Sequence, residues 1–141
     1  MTSDDRALLS ADVQQAEGWR EKAYLDLVGV WTVGFGQNLQ ELTIDKALGA
    51  QWLAAGLASA EREAERGFPW YATASPRRQR AIVEMIYNMG FPRFCGFKAM
   101  LLACATGLWD VAAAEALDSK WARQDVATSR AQRIASMMKE G

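Results

Sequence analysis

The spacing of apolar and polar positions changes period along the chain, from helical to alternating and back to helical. Leu9, Val13 and Ala16 share one side of a first helix that Ser3 can cap and that runs to about Ala16. Gly18 then weakens it. Residues 22–36 alternate instead and are rich in aromatic and β-branched types: Tyr24, Val30, Trp31, Thr32, Val33 and Phe35. With Gly29 where a turn is needed, this stretch predicts a β-hairpin, followed by a connection over 37–42. Ile44, Leu48 and Trp52 repeat every four residues, so a long helix is expected from about Ile44 to Arg66, capped by Thr43 and ended by Gly67 and Pro69. Ser75-Pro76 is a helix start, a cap followed by proline at the first helical position. Ile82, Met85, Ile86 and Met89 give that helix one buried face, and Gly90 and Pro92 stop it. Further helices are expected at 95–106, 109–118 and 127–139, with Trp121, Arg123 and Gln124 in the last loop. The order predicts an α+β, mostly α fold with its sheet segregated at the N-terminal end. A small hairpin lobe and a helical lobe would be joined by the long helix, with a cleft between. Residues 1–141 read as a single domain, the small lobe at about 17–60 and the helical lobe at about 1–16 plus 67–141.

Composition narrows the chemistry. Half of the 141 residues are hydrophobic, so a packed core is expected. The net charge of −1 argues against a polyanion binder, and no nucleic-acid partner is expected. Residues 61–141 hold twelve basic and nine acidic side chains, against four and eight in residues 1–60. This bias suits either a solvated helical surface or an anionic polymer. No run approaches the ~18 apolar residues of a membrane span, and MTSDDRALLSADV lacks the form of a secretory signal. A chain made and left in a cytoplasm is the expectation. There is no histidine. Ser-His-Asp and Cys-His nucleophile systems and HExxH zinc sites are therefore excluded. Cys95 and Cys104, if helical between, lie roughly 13 Å apart on opposite sides, too far for a disulfide. They are expected to be buried small hydrophobes. No phosphate loop is present, and the GFG at 34–36 lacks the third glycine of a dinucleotide fingerprint. Acid-base chemistry must fall to carboxylates, lysine, tyrosine or cysteine.

One stretch concentrates such groups. EGWREKAYLDLVGVWTVGFG, residues 17–36, carries Glu17, Asp26 and Thr32 among Gly29, Gly34 and Gly36. A helix end beside a hairpin makes a cleft wall that both acids can reach. Two carboxylates in different environments suit glycoside hydrolysis, one protonated and one ionised. The glycines let the backbone approach a chain-like ligand closely. The same residues also admit a plainer reading. Glu17 would pair with Arg20, Asp26 would begin a turn, and Thr32 would be an ordinary strand residue.

The stretch closely resembles the active-site signature of the phage-type lysozymes, glycoside hydrolase family 24, E-G-x-x-x-x-x-Y-x-D then G-x-x-T-x-G-x-G. Glu17, Gly18, Tyr24, Asp26, Gly29, Thr32, Gly34 and Gly36 all fit in register. Downstream, RRQRAIVEMIYNMG, GFKAML, GLWDVAAAEAL, SKWARQ and SRAQRI look like the C-terminal lobe of the T-even phage lysozymes. The resemblance implies Glu17 as general acid, with Asp26 orienting water and stabilising positive charge on the sugar. Thr32 would hold that water. It also implies Arg130 as the arginine that pairs with the catalytic glutamate. Tyr87 falls on an aromatic cleft position, though a half-buried helix aromatic is the other reading. Trp121 and Gln124 would support the cleft from behind. Gln37 stands where familiar members have a structural histidine. The segment after the hairpin is short, and the loop from Gln124 to Arg130 is slightly longer than in the T-even type.

The implied activity is that of a peptidoglycan hydrolase. It would cut the β-1,4 bond between N-acetylmuramic acid and N-acetylglucosamine with inversion, as a monomer, without metal or cofactor and without membrane insertion. A lytic transglycosylase and a non-cutting glycan-binding module are the rivals. Delivery would follow either the endolysin route, waiting in the host cytoplasm until a holin opens the membrane, or the virion.

Overall fold

A computed structural model describes residues 1–141. The chain divides into two compact units, Met1–Lys46 and Ala47–Gly141. The first of these holds the N-terminal helix and the hairpin.

In the first unit, α1 spans Ser3–Glu17. Its cap is Thr2, one residue earlier than Ser3. Thr2 Oγ1 accepts from the Asp5 amide at 3.1 Å, and Asp5 Oδ2 accepts from the Thr2 amide at 2.9 Å. This reciprocal capping box outcompetes a lone serine because it satisfies two orphan donors at once. The expected hairpin is a three-stranded antiparallel meander of β1 (Arg20–Leu25), β2 (Trp31–Gly34) and β3 (Gln37–Asn38). The third strand occupies the start of the expected connection. Gly34 and Gly36 adopt φ of 67° and 78°, which turns the chain back at once. Gln37 then locks the turn, its Oε1 accepting from the Phe35 amide at 2.8 Å. That contact gives a structural task to the residue standing at the family's histidine position. Leu9 and Val13 of α1 and Phe35 line a shallow groove of about 360 Å³ in this unit.

The second unit is helical. The long helix α2 (Lys46–Gly67) begins at the unit boundary, two residues later than expected, and buries only Ala60 and Ala64. A 3₁₀ turn at Pro69–Thr73 leads to α3 (Pro76–Met89). There Ser75 Oγ caps the Arg78 amide, and Ala81, Ile82, Met85 and Ile86 are buried. As expected, α3 stops before Gly90 and Pro92, but Pro92 has a second task. It opens a short helix, α4 (Phe91–Phe94), because proline at the first turn lacks only an amide that would be unpaired anyway. Helices α5 (Lys98–Ala105) and α6 (Trp109–Leu117) follow. A π-helical turn at Trp121–Asp125 and α7 (Thr128–Glu140) complete the chain. Cys95 thus lies between α4 and α5, not inside one helix. Both thiols are free, and burial pushes the Cys104 thiol up to about 12.

The α5, α6 and α7 helices pack in series, and α7 also packs on α3. Ile82, Met85, Ile86, Phe94, Met100, Trp121, Ile134 and Met138 are fully buried there. Each such side chain contributes roughly 1.5–3 kcal/mol. Arg78 closes the end of α7. Its Nε donates to the Met138 carbonyl at 2.8 Å, while its guanidinium lies 4.6 Å from the centre of the Trp109 ring. A cation on the last carbonyls satisfies acceptors that a helix end leaves open.

Candidate active site

The three motif residues sit on adjoining elements of the first unit. Glu17 is the last residue of α1, and Gly18, at φ 68°, ends the helix immediately after it. The Glu17 side chain is exposed and lies directly on Gly36. A Cβ built on Gly36 would stand 2.5 Å from Glu17 Oε2 and 2.8 Å from its Cδ. The glycine is thus a close-approach glycine, and the turn between β2 and β3 is a floor for the carboxylate.

Asp26 and Thr32 are both held by the backbone of one residue, Val30, through its amide and its carbonyl. Asp26 Oδ1 accepts from the Val30 amide at 2.8 Å and from the Val28 amide at 2.9 Å. The Thr32 hydroxyl donates to the Val30 carbonyl at 3.1 Å. The backbone continues the register, since the Asp26 amide donates to the Val30 carbonyl at 3.0 Å and Tyr24 pairs across from Thr32. Residues two apart on a strand share a face, so Tyr24, Asp26 and Thr32 belong to one side of the meander. Thr32, 5 % exposed, is the one buried polar residue of the chain.

The chemistry follows from which atoms are engaged. Asp26 spends Oδ1 on two amides, which leaves Oδ2 to accept a proton. Thr32 spends its hydrogen on a carbonyl, which leaves its oxygen lone pairs as acceptors. The two together form a fixed acceptor pair. Glu17 has no amide on its carboxylate, which lies against Gly36. The plainer reading of Asp26 as a turn residue is also met, because the same side chain builds the turn and presents an oxygen. Arg20 lies over the Tyr24 ring, 5.4 Å from its centre, rather than in an ion pair with Glu17.

The other named residues lie in the second unit. Arg130 is on α7, and its Nε donates to Glu84 Oε1 at 3.0 Å. Arg133 Nη2 reaches the same oxygen at 2.6 Å. Burial alone would push the Glu84 carboxyl up. The hydrogen bond and charge of Arg133, joined by Arg130, outweigh it and hold the carboxyl below its ordinary value. Tyr87, 46 % exposed, rests its ring on Gly56 of α2 and lines a groove of about 800 Å³ with Leu53, Leu57, Arg80, Glu84 and Arg130. Trp121 is buried and donates its indole N–H to Asn88 Oδ1 at 2.8 Å. Gln124 is exposed in the π-helical turn, which Arg93 ties to α4 through Asp125. No three of the chain's Cys, Asp and Glu side chains are grouped to hold a metal ion, and no helix is long and apolar enough to cross a membrane.

Sequence reasoning did not find Val30, Glu84 or Asn88. Val30 acts through its backbone amide and carbonyl, which leave no mark on residue type. Glu84 and Asn88 had a weak signal as polar residues on a helix whose neighbours are core. Comparison with curated proteins gives no significant match. The family model described as phage lysozyme matches residues 14–136, a span holding the Glu17, Asp26 and Thr32 cluster and nearly all of the helical unit. The chain belongs to the phage lysozyme family, glycoside hydrolases that degrade peptidoglycan.

Proposed function

We propose that the protein is a muramidase that cleaves the β-1,4 bond between N-acetylmuramic acid and N-acetylglucosamine with inversion at the anomeric carbon. The observation that carries this reading is the anchoring of Asp26 on the Val30 amide and of Thr32 on the Val30 carbonyl, with Oδ2 and Oγ1 left as acceptors. In the proposed step, Glu17 gives its proton to the glycosidic oxygen as the C1–O bond breaks. A water gives one hydrogen bond to Asp26 Oδ2 and one to Thr32 Oγ1. Its oxygen lone pair then faces C1 from the side opposite the leaving group. The water's proton passes to Asp26, and the ionised carboxylate stabilises the oxocarbenium-like charge before that transfer. The new bond forms on the opposite face, so the anomer inverts. No metal or cofactor takes part.

Arg130 is assigned a supporting role and Tyr87 a stacking role on a sugar ring, both on the resemblance of SRAQRI and of the α3 segment to the family. The protein would act on the wall as a monomer, released by membrane opening or carried in a virion.

The experiment is product analysis. Digested sacculi are separated and weighed by mass spectrometry, and the anomer first formed is read by NMR. Hydrolysis gives reducing muropeptides, with the α-anomer appearing first if inversion holds. A 1,6-anhydro product would make the protein a lytic transglycosylase. Sacculus binding without soluble fragments would make it a binding module.

A further inference from the structure

The loop that seats Glu17 takes its shape from side chains, not from its own backbone. Val33 of β2 pairs with Gln37 of β3, so Gly34, Phe35 and Gly36 form the connection between them. Two of these three residues are glycines, at φ 67° and 78°. Glycine enters that region freely but is not confined to it, so the backbone alone leaves the loop soft. Two contacts stiffen it. The Phe35 ring lies 5.0 Å from the Trp19 ring, centre to centre. The Gln37 side chain folds back over the loop, and its Oε1 accepts from the Phe35 amide at 2.8 Å. That oxygen fills the space a side chain at Gly34 would need. Glu17 uses the space at Gly36 in the same manner, its Oε2 2.5 Å from where a Cβ would stand. One three-residue loop therefore carries both the Gln37 amide and the Glu17 carboxylate against its backbone. Gln37 is exposed, so water could serve its amide, and burial does not compel the bond to Phe35. What the bond supplies is loop shape.

We propose that Gln37 is a positioning residue for the hydrolytic reaction, fixing the Gly34–Gly36 loop so that Gly36 presents a firm seat to the Glu17 carboxylate. Gln37 touches neither substrate nor the attacking water in this scheme. It acts only through the loop, and the inference rests on the reading of Glu17 as the general acid. Without the Gln37 oxygen the Phe35 amide turns to water, and the Gly-Phe-Gly segment samples more of the range open to glycine. The carboxylate then loses its fixed floor, while no group assigned to the sugar is altered. Loss of the lock lowers kcat by about tenfold, within the range that an ångström-scale misplacement produces, and leaves KM nearly unchanged.

The test measures kcat and KM on soluble glycan strands, and Tm, for variants of the full chain, each read at its own pH optimum. Gln37→Met keeps the length of the side chain and removes the oxygen acceptor. Gln37→Glu keeps an oxygen at the same reach. Thr2→Ala removes the α1 cap at the far end of the same unit and serves as the stability comparison. Gly36→Ala, with and without Gln37→Met, completes a cycle. The expected result is that Gln37→Met lowers kcat and Gln37→Glu recovers most of it, while Thr2→Ala lowers Tm by a few degrees and keeps kcat. Gln37→Met should also cost less in the Gly36→Ala background than in the native one, because the carboxylate is already displaced there. Equal loss in the two backgrounds overturns the proposal, because the role is then not exercised through the seat of Glu17. A loss that Gln37→Glu does not recover overturns it as well, and so does a kcat loss in Thr2→Ala as large as that in Gln37→Met. Full kcat in Gln37→Met beside an inactive Glu17→Gln overturns the proposal while the muramidase reading stands. Activity in Glu17→Gln overturns that reading and the proposal with it. If Gln37→Met does not fold, Gln37→Asn takes its place: the side chain is one methylene shorter, its oxygen withdraws from the Phe35 amide, and the same pattern of kcat is expected.

Discussion

Gly36→Ala separates the two things a glycine can do at this site. The first cost is conformational. Gly36 has φ 78°, where an L-residue costs about 1–2 kcal/mol. The second is steric and falls on one group. The new methyl would stand 2.5 Å from Glu17 Oε2, 2.8 Å from Cδ and 3.3 Å from Cγ. Ordinary contact needs about 3.4 Å or more, so the carboxylate must move by roughly 1 Å. It sits at the far end of a flexible, exposed side chain, so the move adds little to the folding cost. A displacement of that size in a catalytic group lowers kcat by about 10²-fold. Gly107→Ala is the matched comparison. Gly107 has φ 75° with nothing within 4 Å of the added methyl, so it bears the conformational cost alone. Thermal unfolding should therefore show similar losses for the two variants, a few degrees each. Release of muropeptides should fall about 10²-fold for Gly36→Ala and stay unchanged for Gly107→Ala. Equal activity in the two variants would refute the reasoning, because the carboxylate would then have no need of its seat on Gly36.

Three further outcomes follow from the same contacts. Thr32→Val keeps the β-branched shape but removes the acceptor for water; kcat should fall about 10²-fold or more while stability changes by about 1 kcal/mol, read by steady-state kinetics and urea unfolding. Trp121→Phe loses the hydrogen bond to Asn88 and part of a buried ring; it should cost about 1–3 kcal/mol and leave the kcat of folded protein intact, and a selective loss of kcat would give Trp121 a role beyond packing. Glu84 governs an acid limb of stability. Its carboxyl is lowered in the folded chain, so the stabilisation is full above the ordinary value of 4.5 and is lost as pH falls through the lowered one. Tm measured from pH 6 down to about pH 3 should fall less steeply in Glu84→Gln than in the native chain, and parallel curves would contradict the ion-pair cluster.

Much of this architecture is legible in the residues. The Ser75-Pro76 start of α3 and its run of Ile82, Met85 and Ile86 are local signals that tertiary packing reinforces, and they survive folding intact. The Gly29 turn and the alternation around Trp31 likewise mark β1 and β2. What is not legible depends on competition or on distance. Thr2 displaces Ser3 as the cap because Asp5 reciprocates. The strand β3 is only two residues long, too short for any period. The helix α4 that Pro92 opens is only four residues long, too brief to show a period. The site follows the same division. Glu17, Asp26 and Thr32 stand out by type and spacing. The Val30 amide and carbonyl that hold two of them and the Glu84 that holds Arg130 do not, because a backbone group has no residue signature and an ion pair between α3 and α7 joins positions far apart in sequence.

The central claim is that Glu17 is the general acid of a wall-cutting enzyme. Turbidity loss of outer-membrane-permeabilised Gram-negative cells, measured for the native chain beside Glu17→Gln, tests it most directly. Glutamine keeps the size and hydrogen-bonding capacity of the side chain and cannot donate an acid proton. The native chain should clear the suspension and the folded variant should not. Equal clearing by both would contradict the account at its centre.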